Sequence, residues 1–198
     1  PAPVPTPPLR FRNQSGETCP RGAVMDATSY SDTDSVYVID KPGASDTGFK
    51  RRWLVNLSGA VADTSEGDCT WLEESGVVLL DVSDGSPSAG EEWGPLPDSW
   101  MLHRWAYGFT FVGGHVTESG SDYGTFYQEI VSEVVGKSTS SVAAGTTDTF
   151  DVYRWDGTSD WQDSGWDISP AYVFVTVADD VYVAIGFRSS QWVAGPLE

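Results

Sequence analysis

Along almost the whole chain, short runs in which apolar and polar residues alternate are separated by clusters of Gly, Pro, Asp, Ser and Thr. A period of two puts every second side chain on one face, the mark of a half-buried strand. "LRFRNQSGET" alternates into a turn, followed by "GAVMDATSY" and, beyond "SDTDS", by "VYVIDKPG". Further strands are predicted at "RWLVNLSG", "CTWLEES", "VVLLDVS" and "YGFTFVGG". "DGSPSAGEEWGPLPDSW" reads as a Pro- and Gly-rich loop whose tryptophans tuck back onto the sheets. "DYGTFYQEIVSEVVGK" spaces Phe126, Ile130 and Val134 by four, as a helix would, but its β-branched and aromatic residues favour a strand. The last segment reads as "TFDVYRW", "WQDSGWDIS", "YVFVTVA", "VYVAIGFR" and "QWVAG", joined by short turns.

These elements predict an all-β protein of one or two small β-barrel or β-sandwich modules with an extended proline-rich N-terminal arm. The arm is residues 1–9, which hold five prolines; residues 10–115 form an N-terminal β-rich module and residues 116–198 a C-terminal small barrel or sandwich. No repeat of fixed period is visible. The longest apolar runs are strand-sized, so no membrane span is expected. The proline-rich start lacks the apolar core of a signal peptide, and beginning at Pro1 fits loss of an initiator Met.

Composition adds a charge argument. The net charge is −18, and it is segregated: through Arg52 seven basic residues face six acidic ones, whereas from Trp53 onward four face twenty-three. Such a surface repels phosphates, so nucleic acid is not an expected partner. Cys19 and Cys69, the only cysteines, allow one disulfide or two free thiols. The sequons at Asn13 and Asn56 carry weight only on a secretory route.

Candidate chemistry is sparse. His103 and His115 are the only histidines, and their spacing of twelve does not make a zinc-binding helix face. No G-x-S-x-G elbow, phosphate loop or dinucleotide fingerprint occurs. Asp32 and Asp34 alternate as calcium ligands do, but the full calcium loop is absent. The expectation is a non-enzyme without metal or cofactor. One segment keeps a binding role open. "DVYRWDGTSDWQDSGW" sets Trp155, Trp161 and Trp166 among four aspartates, which suits glycan contact as well as a plain hairpin turning at Asp156-Gly157. Parity decides part of this. Residues 161 and 166 differ by an odd number, so an unbroken strand sends the two indoles to opposite faces unless a bulge at Ser164-Gly165 resets the alternation. At least one of them is therefore expected inside.

The segments "LRFRNQSGETCPRGAVMDATSY", "VYVIDKPG", "RWLVNLSGAV" and "GEEWGPLPDSWML" resemble a family of mostly uncharacterised proteins of tailed bacteriophages and of bacterial genomes carrying phage-like regions. The matching positions are Phe11, Asn13, Ser15, Gly16, Glu17 and Pro20, then Ile39 to Pro42, then Trp93 to Trp100. The C-terminal stretch from "FDVYRWDGTSDW" to "SSQWVAG" is similar to a β-module at the ends of such proteins. Cys19, where an aliphatic residue is expected, and the "SDTDS" and "DTGFKRR" stretches depart from the pattern. The resemblance implies a virion structural protein, a capsid decoration or tail-associated component assembled in the bacterial host cytoplasm. Its implied partners are other capsid or tail subunits, with homo-oligomers inside the particle. Arg10, Phe11 and Arg12 are the candidate assembly interface, through strand addition and guanidinium–carboxylate contacts. The alternative is a host-recognition fibre or spike module that binds surface glycans through Trp155, Trp161 and Trp166.

Overall fold

The computed structural model describes residues 8–43, 53–72, 76–128, 133–156, 158–188 and 191–197. Among the described residues, fifteen strands and no helix make the protein all-β, and the strands close into three five-stranded barrels. The first barrel comprises β1 (Leu9–Asn13), β2 (Val24–Ser31), β3 (Val36–Asp40), β4 (Leu54–Asn56) and β5 (Glu66–Trp71). The second comprises β6 (Gly76–Asp81), β7 (Glu92–Pro95), β8 (Leu102–Arg104), β9 (Phe109–Glu118) and β10 (Ser121–Gln128). The third comprises β11 (Glu133–Ser138), β12 (Thr147–Trp155), β13 (Trp161–Val173), β14 (Tyr182–Arg188) and β15 (Gln191–Pro196). Alternation sets which side faces in: along β11, Val134, Gly136 and Ser138 are buried while the residues between them are not. Closure pairs every strand on both sides, which removes sheet edges.

Three expectations need correction. The division between residues 115 and 116 falls inside β9, because Gly113 and Gly114, both at positive φ, bend this strand through a register shift instead of ending a module. Chain passes between barrels occur instead after Trp71 and after Gln128. Leu9 belongs to β1 and not to an arm, and residues 1–7 lie outside the described residues. "YVFVTVA" is not one strand: β13 ends at Val173, and Phe174 and Val175 lie exposed before Val177 bridges to Val142.

The three barrels share one ring. Each has a single parallel pair: β1 with β3, β6 with β8, and β13 with β15. The first two rings run in the same order, β1-β3-β2-β4-β5 and, with the same ring neighbours, β6-β8-β7-β9-β10. The third, β11-β12-β13-β15-β14, becomes identical if its chain is cut between β12 and β13 and its ends are joined. β1, β2, β3, β4 and β5 then correspond to β13, β14, β15, β11 and β12.

Corner hydrogen bonds support this correspondence. Thr64 N–H donates to Asn13 O at 2.8 Å, as Gly145 N–H donates to Val173 O at 2.7 Å. Asn56 N–H donates to Ala23 O at 3.1 Å, as Ser138 N–H donates to Val181 O at 3.2 Å. The Cys19–Val61 bridge has its counterpart in Val142–Val177. Gly22 and Asp180 occupy equivalent positive-φ sites. The third barrel's relation to the other two escapes a search for a fixed period because its chain order is permuted.

The barrels are fused through their cores. Val24, Trp53, Val55 and Leu72 of the first barrel pack with the buried residues of the second and third. Leu79 and Trp100 of the second pack with those of the first. Backbone bonds cross the same seam, from Val24 N–H to Trp100 O at 2.9 Å and from Leu79 N–H to Gly22 O at 2.8 Å.

Candidate ligand groove

Trp155 ends β12 and Trp161 begins β13, and the two are cross-strand partners. The intervening turn is not a two-residue type: the Asp156 carboxylate accepts the N–H groups of Thr158, Ser159 and Asp160 at 2.7, 2.8 and 3.1 Å. Those bonds hold its carboxyl well below the ordinary range, a charged Asx turn that fixes the hairpin tip. The indoles meet edge to face, with centroids 5.4 Å apart, and Trp155 remains 39% exposed. Trp161 continues to Tyr182 at 6.2 Å and Tyr182 to Tyr153 at 5.2 Å, so an aromatic band crosses the outer face of the third barrel.

The facing wall comes from the second barrel. Glu92, Trp105 and Tyr107 oppose Glu133, Val134, Val135, Trp155 and Trp161 around a cavity of about 370 Å³. Tyr107 ties the walls together: its O–H donates to Tyr153 O at 2.8 Å and its oxygen accepts from Val135 N–H at 3.4 Å. Trp105 is held at φ +64° by its N–H bond to Glu92 O at 2.8 Å, and the Arg104 guanidinium lies 4.6 Å over its ring. A left-handed tryptophan costs about 1–3 kcal/mol and persists only where its surroundings impose it. The result is a cleft between modules with three indoles and two carboxylates. Indole faces stack on apolar sugar faces, and carboxylates accept hydroxyls.

Trp166 is not part of this cleft. It is 2% exposed, its Nε1–H donates to Pro95 O at 3.0 Å, and its ring meets Trp53 at 6.4 Å. The bulge exists, with Gly165 at φ +74°, but Val152 pairs with Trp166 and Tyr153 with Asp163, so two residues are inserted and parity survives. Trp161 and Trp166 therefore face opposite ways, and Trp166 is withdrawn from the candidate glycan contacts.

The assembly triplet is corrected too. Phe11 is fully buried in the first barrel and has no face to offer a neighbour. Arg10 and Arg12 both bind Glu66, and Arg12 also binds Asp34 at 3.0 Å, so these guanidiniums are already engaged inside the chain. Asn13 and Asn56 are buried and donate to backbone carbonyls, which removes both sequons as glycan acceptors. Cys19 and Cys69 are buried free thiols, pushed to about 12 by burial. Among the described residues no group of three or more His, Cys, Asp or Glu is arranged to hold a metal ion.

Sequence reasoning missed two features. Trp105 lies five residues beyond the loop-rich stretch, just after β8, and nothing in its local pattern singled it out. Ser99, His103 and Asp81 form a row, with Ser99 Oγ hydrogen-bonded to His103 Nε2 at 2.8 Å and His103 Nδ1 in ion-pair range of Asp81 Oδ2 at 3.2 Å. The serine and histidine are four residues apart, but the aspartate arrives from another strand. Comparison of the chain with protein families, with curated proteins and with solved structures finds no match.

Proposed function

We propose that the chain is a phage-type virion component that recognises surface glycans through the groove between its second and third barrels, a role that rests on binding. The groove carries this reading: Trp105, Trp155 and Trp161 line a cavity of about 370 Å³ together with Glu92 and Glu133. The net charge of −18 favours neutral or cationic glycans over anionic ones. The virion setting, with other particle subunits and copies of the same chain as partners, rests on the phage resemblance.

The decisive experiment is a glycan-array screen of the wild-type chain, followed by titration of the best ligand against Trp155→Ala and Trp161→Ala. Both variants are expected to lose at least about tenfold in affinity, the scale of one stacking contact, while keeping their melting transitions. No bound glycan, or unchanged affinity in both variants, overturns the reading. Decoration of the capsid is the second reading, favoured by the near-neutral segment through Arg52. Copy number separates the two: hundreds of copies on the shell indicate decoration, and a few at a tail tip indicate adhesion.

A further inference from the structure

We propose that Ser99, His103 and Asp81 form a nucleophile–base–carboxylate array that hydrolyses small acyl esters of neutral alcohols, an activity separate from glycan binding. Asp81 and His103 are register partners on the parallel strands β6 and β8, so the sheet itself aligns carboxylate and imidazole. Leu96, Pro97, Asp98 and Ser99 form a turn closed by Ser99 N–H to Leu96 O, with Asp98 at φ +60°. Both sides of that turn are pinned, by Asp98 N–H to Pro42 O at 2.8 Å and by Lys41 Nζ to the Asp98 carboxylate at 3.0 Å. The turn delivers the serine hydroxyl to the imidazole on a fixed backbone.

Protonation states suit the chemistry. Burial chiefly, helped by the charge of Arg154, lowers the His103 pKa against the opposing pull of Asp81 and Asp84, so the ring is neutral at pH 7. Burial would raise the Asp81 carboxyl, but bonds from Ser83, the charge of His103 when protonated at low pH, and that of Arg154 outweigh it and hold its pKa below the ordinary carboxylate range, so the group is ionised at pH 7. The negative Asp81 carboxylate 3.2 Å from Nδ1 favours the ring proton on that nitrogen, which leaves the Nε2 lone pair facing the Ser99 hydroxyl. This is the tautomer a general base needs. Met101 N–H donates to Ser99 Oγ at 3.2 Å and supports a developing alkoxide.

In the reaction, Ser99 Oγ forms a bond to the ester carbonyl carbon as its proton passes to His103 Nε2. The carbon–alkoxide bond then breaks, and the leaving alcohol takes that proton. Water attacks the acyl-serine with His103 again accepting and returning a proton, which releases the carboxylic acid and restores Ser99. The sum is ester plus water to acid plus alcohol. Asp98, 89% exposed beside the serine, disfavours anionic esters.

The bland role for the same row is to brace the turn. The two differ in reactivity, so the test uses a fluorophosphonate, which phosphonylates activated serines, and p-nitrophenyl acetate. The wild-type chain is expected to carry the adduct on the Ser99 peptide by tandem mass spectrometry. Ser99→Ala and His103→Ala are expected to lower ester hydrolysis about 100-fold or more, and the wild-type rate to rise with pH to a plateau through a pKa below 6.5. Absence of an adduct on Ser99 in folded wild-type protein, or wild-type hydrolysis in Ser99→Ala, overturns the proposal. Should Ser99→Ala fail to fold, the wild-type adduct map decides alone. Neither probe needs the aromatic groove, so the result is independent of the glycan reading.

Discussion

Replacing Trp166 by Ala tests the parity argument and the fusion of the barrels together. The indole is 2% exposed, donates to Pro95 O across the junction of the second and third barrels, and meets Trp53 of the first edge to face. Truncating a buried Trp to Ala costs about 3–5 kcal/mol through lost transfer energy and the cavity left behind. The hydrogen bond contributes about 1 kcal/mol and the aromatic pair about 0.5–1.5 kcal/mol, but these overlap with the truncation figure because the contacts share one ring. The expected loss is therefore at the top of the range, about 4–5 kcal/mol. With a slope of about 2 kcal/mol per molar, the urea midpoint falls by roughly 2 M. Trp166→Phe keeps most of the apolar contact but leaves Pro95 O unpaired, and should cost about 1–3 kcal/mol. Trp155→Ala, on an indole 39% exposed, is the control and should cost about 1 kcal/mol or less. Equilibrium urea unfolding of the three variants, followed by circular dichroism, measures all of this. A Trp166→Ala loss under about 1 kcal/mol, or an equal loss in Trp155→Ala, refutes the assignment of faces along β13.

Two further outcomes follow from close contacts and charge. A Cβ added at Gly94 would lie 2.1 Å from Tyr107 O, a backbone atom of a residue tied to the third barrel, so Gly94→Ala should destabilise by about 3 kcal/mol or more; a wild-type melting curve would contradict this. The Asp151 carboxyl is pushed above the ordinary range by burial and then by Asp167 and Asp163. Its folded form thus binds a proton more tightly than its unfolded form. The contribution to stability is full below the unfolded pKa near 3.9 and is lost as pH rises through the raised folded value. Asp151→Asn should accordingly add about a few tenths of a kcal/mol of stability at pH 7 after solvent screening, seen as a slightly higher melting temperature, and the gain should vanish below about pH 4; a pH-independent difference in thermal melts would remove the electrostatic cause.

Most strand positions were legible because alternation is a local property, but β7 (Glu92–Pro95) lies inside the stretch read as a loop. The pattern in "TFDVYRW" requires no knowledge of partners, and the odd separation of Trp161 and Trp166 was enough to expect at least one of them inside, while the outcome of the bulge at Ser164-Gly165 waited on the pairing with β12. The number of barrels was not legible. Gly113 and Gly114 give the same signal at a bend within β9 as at a module boundary, and ring order depends on pairings between distant segments that local pattern does not specify. For the same reason the row of Ser99, His103 and Asp81 stayed hidden, since the parallel register of β6 with β8 is what brings Asp81 to the imidazole. Phe11, Arg10 and Arg12 were misassigned because a basic, aromatic segment reads alike whether it lies on a neighbour or closes its own barrel against Glu66.

The seam at Trp53 has a consequence during synthesis. Each barrel is a contiguous stretch of chain, so the first can close once Trp71 has left the ribosome. Its outer apolar residues, Trp53, Val55 and Leu72, nevertheless belong to a core completed only when Trp166 arrives. At a synthesis rate of about 5–20 residues per second that interval is roughly 5–20 s. Throughout it the nascent chain carries a sticky, finished-looking domain whose missing wall is still being translated. A neighbouring nascent copy offers the same apolar patch, and the segment emerging next is the acidic part of the chain, whose charge repels that copy until the wall is in place.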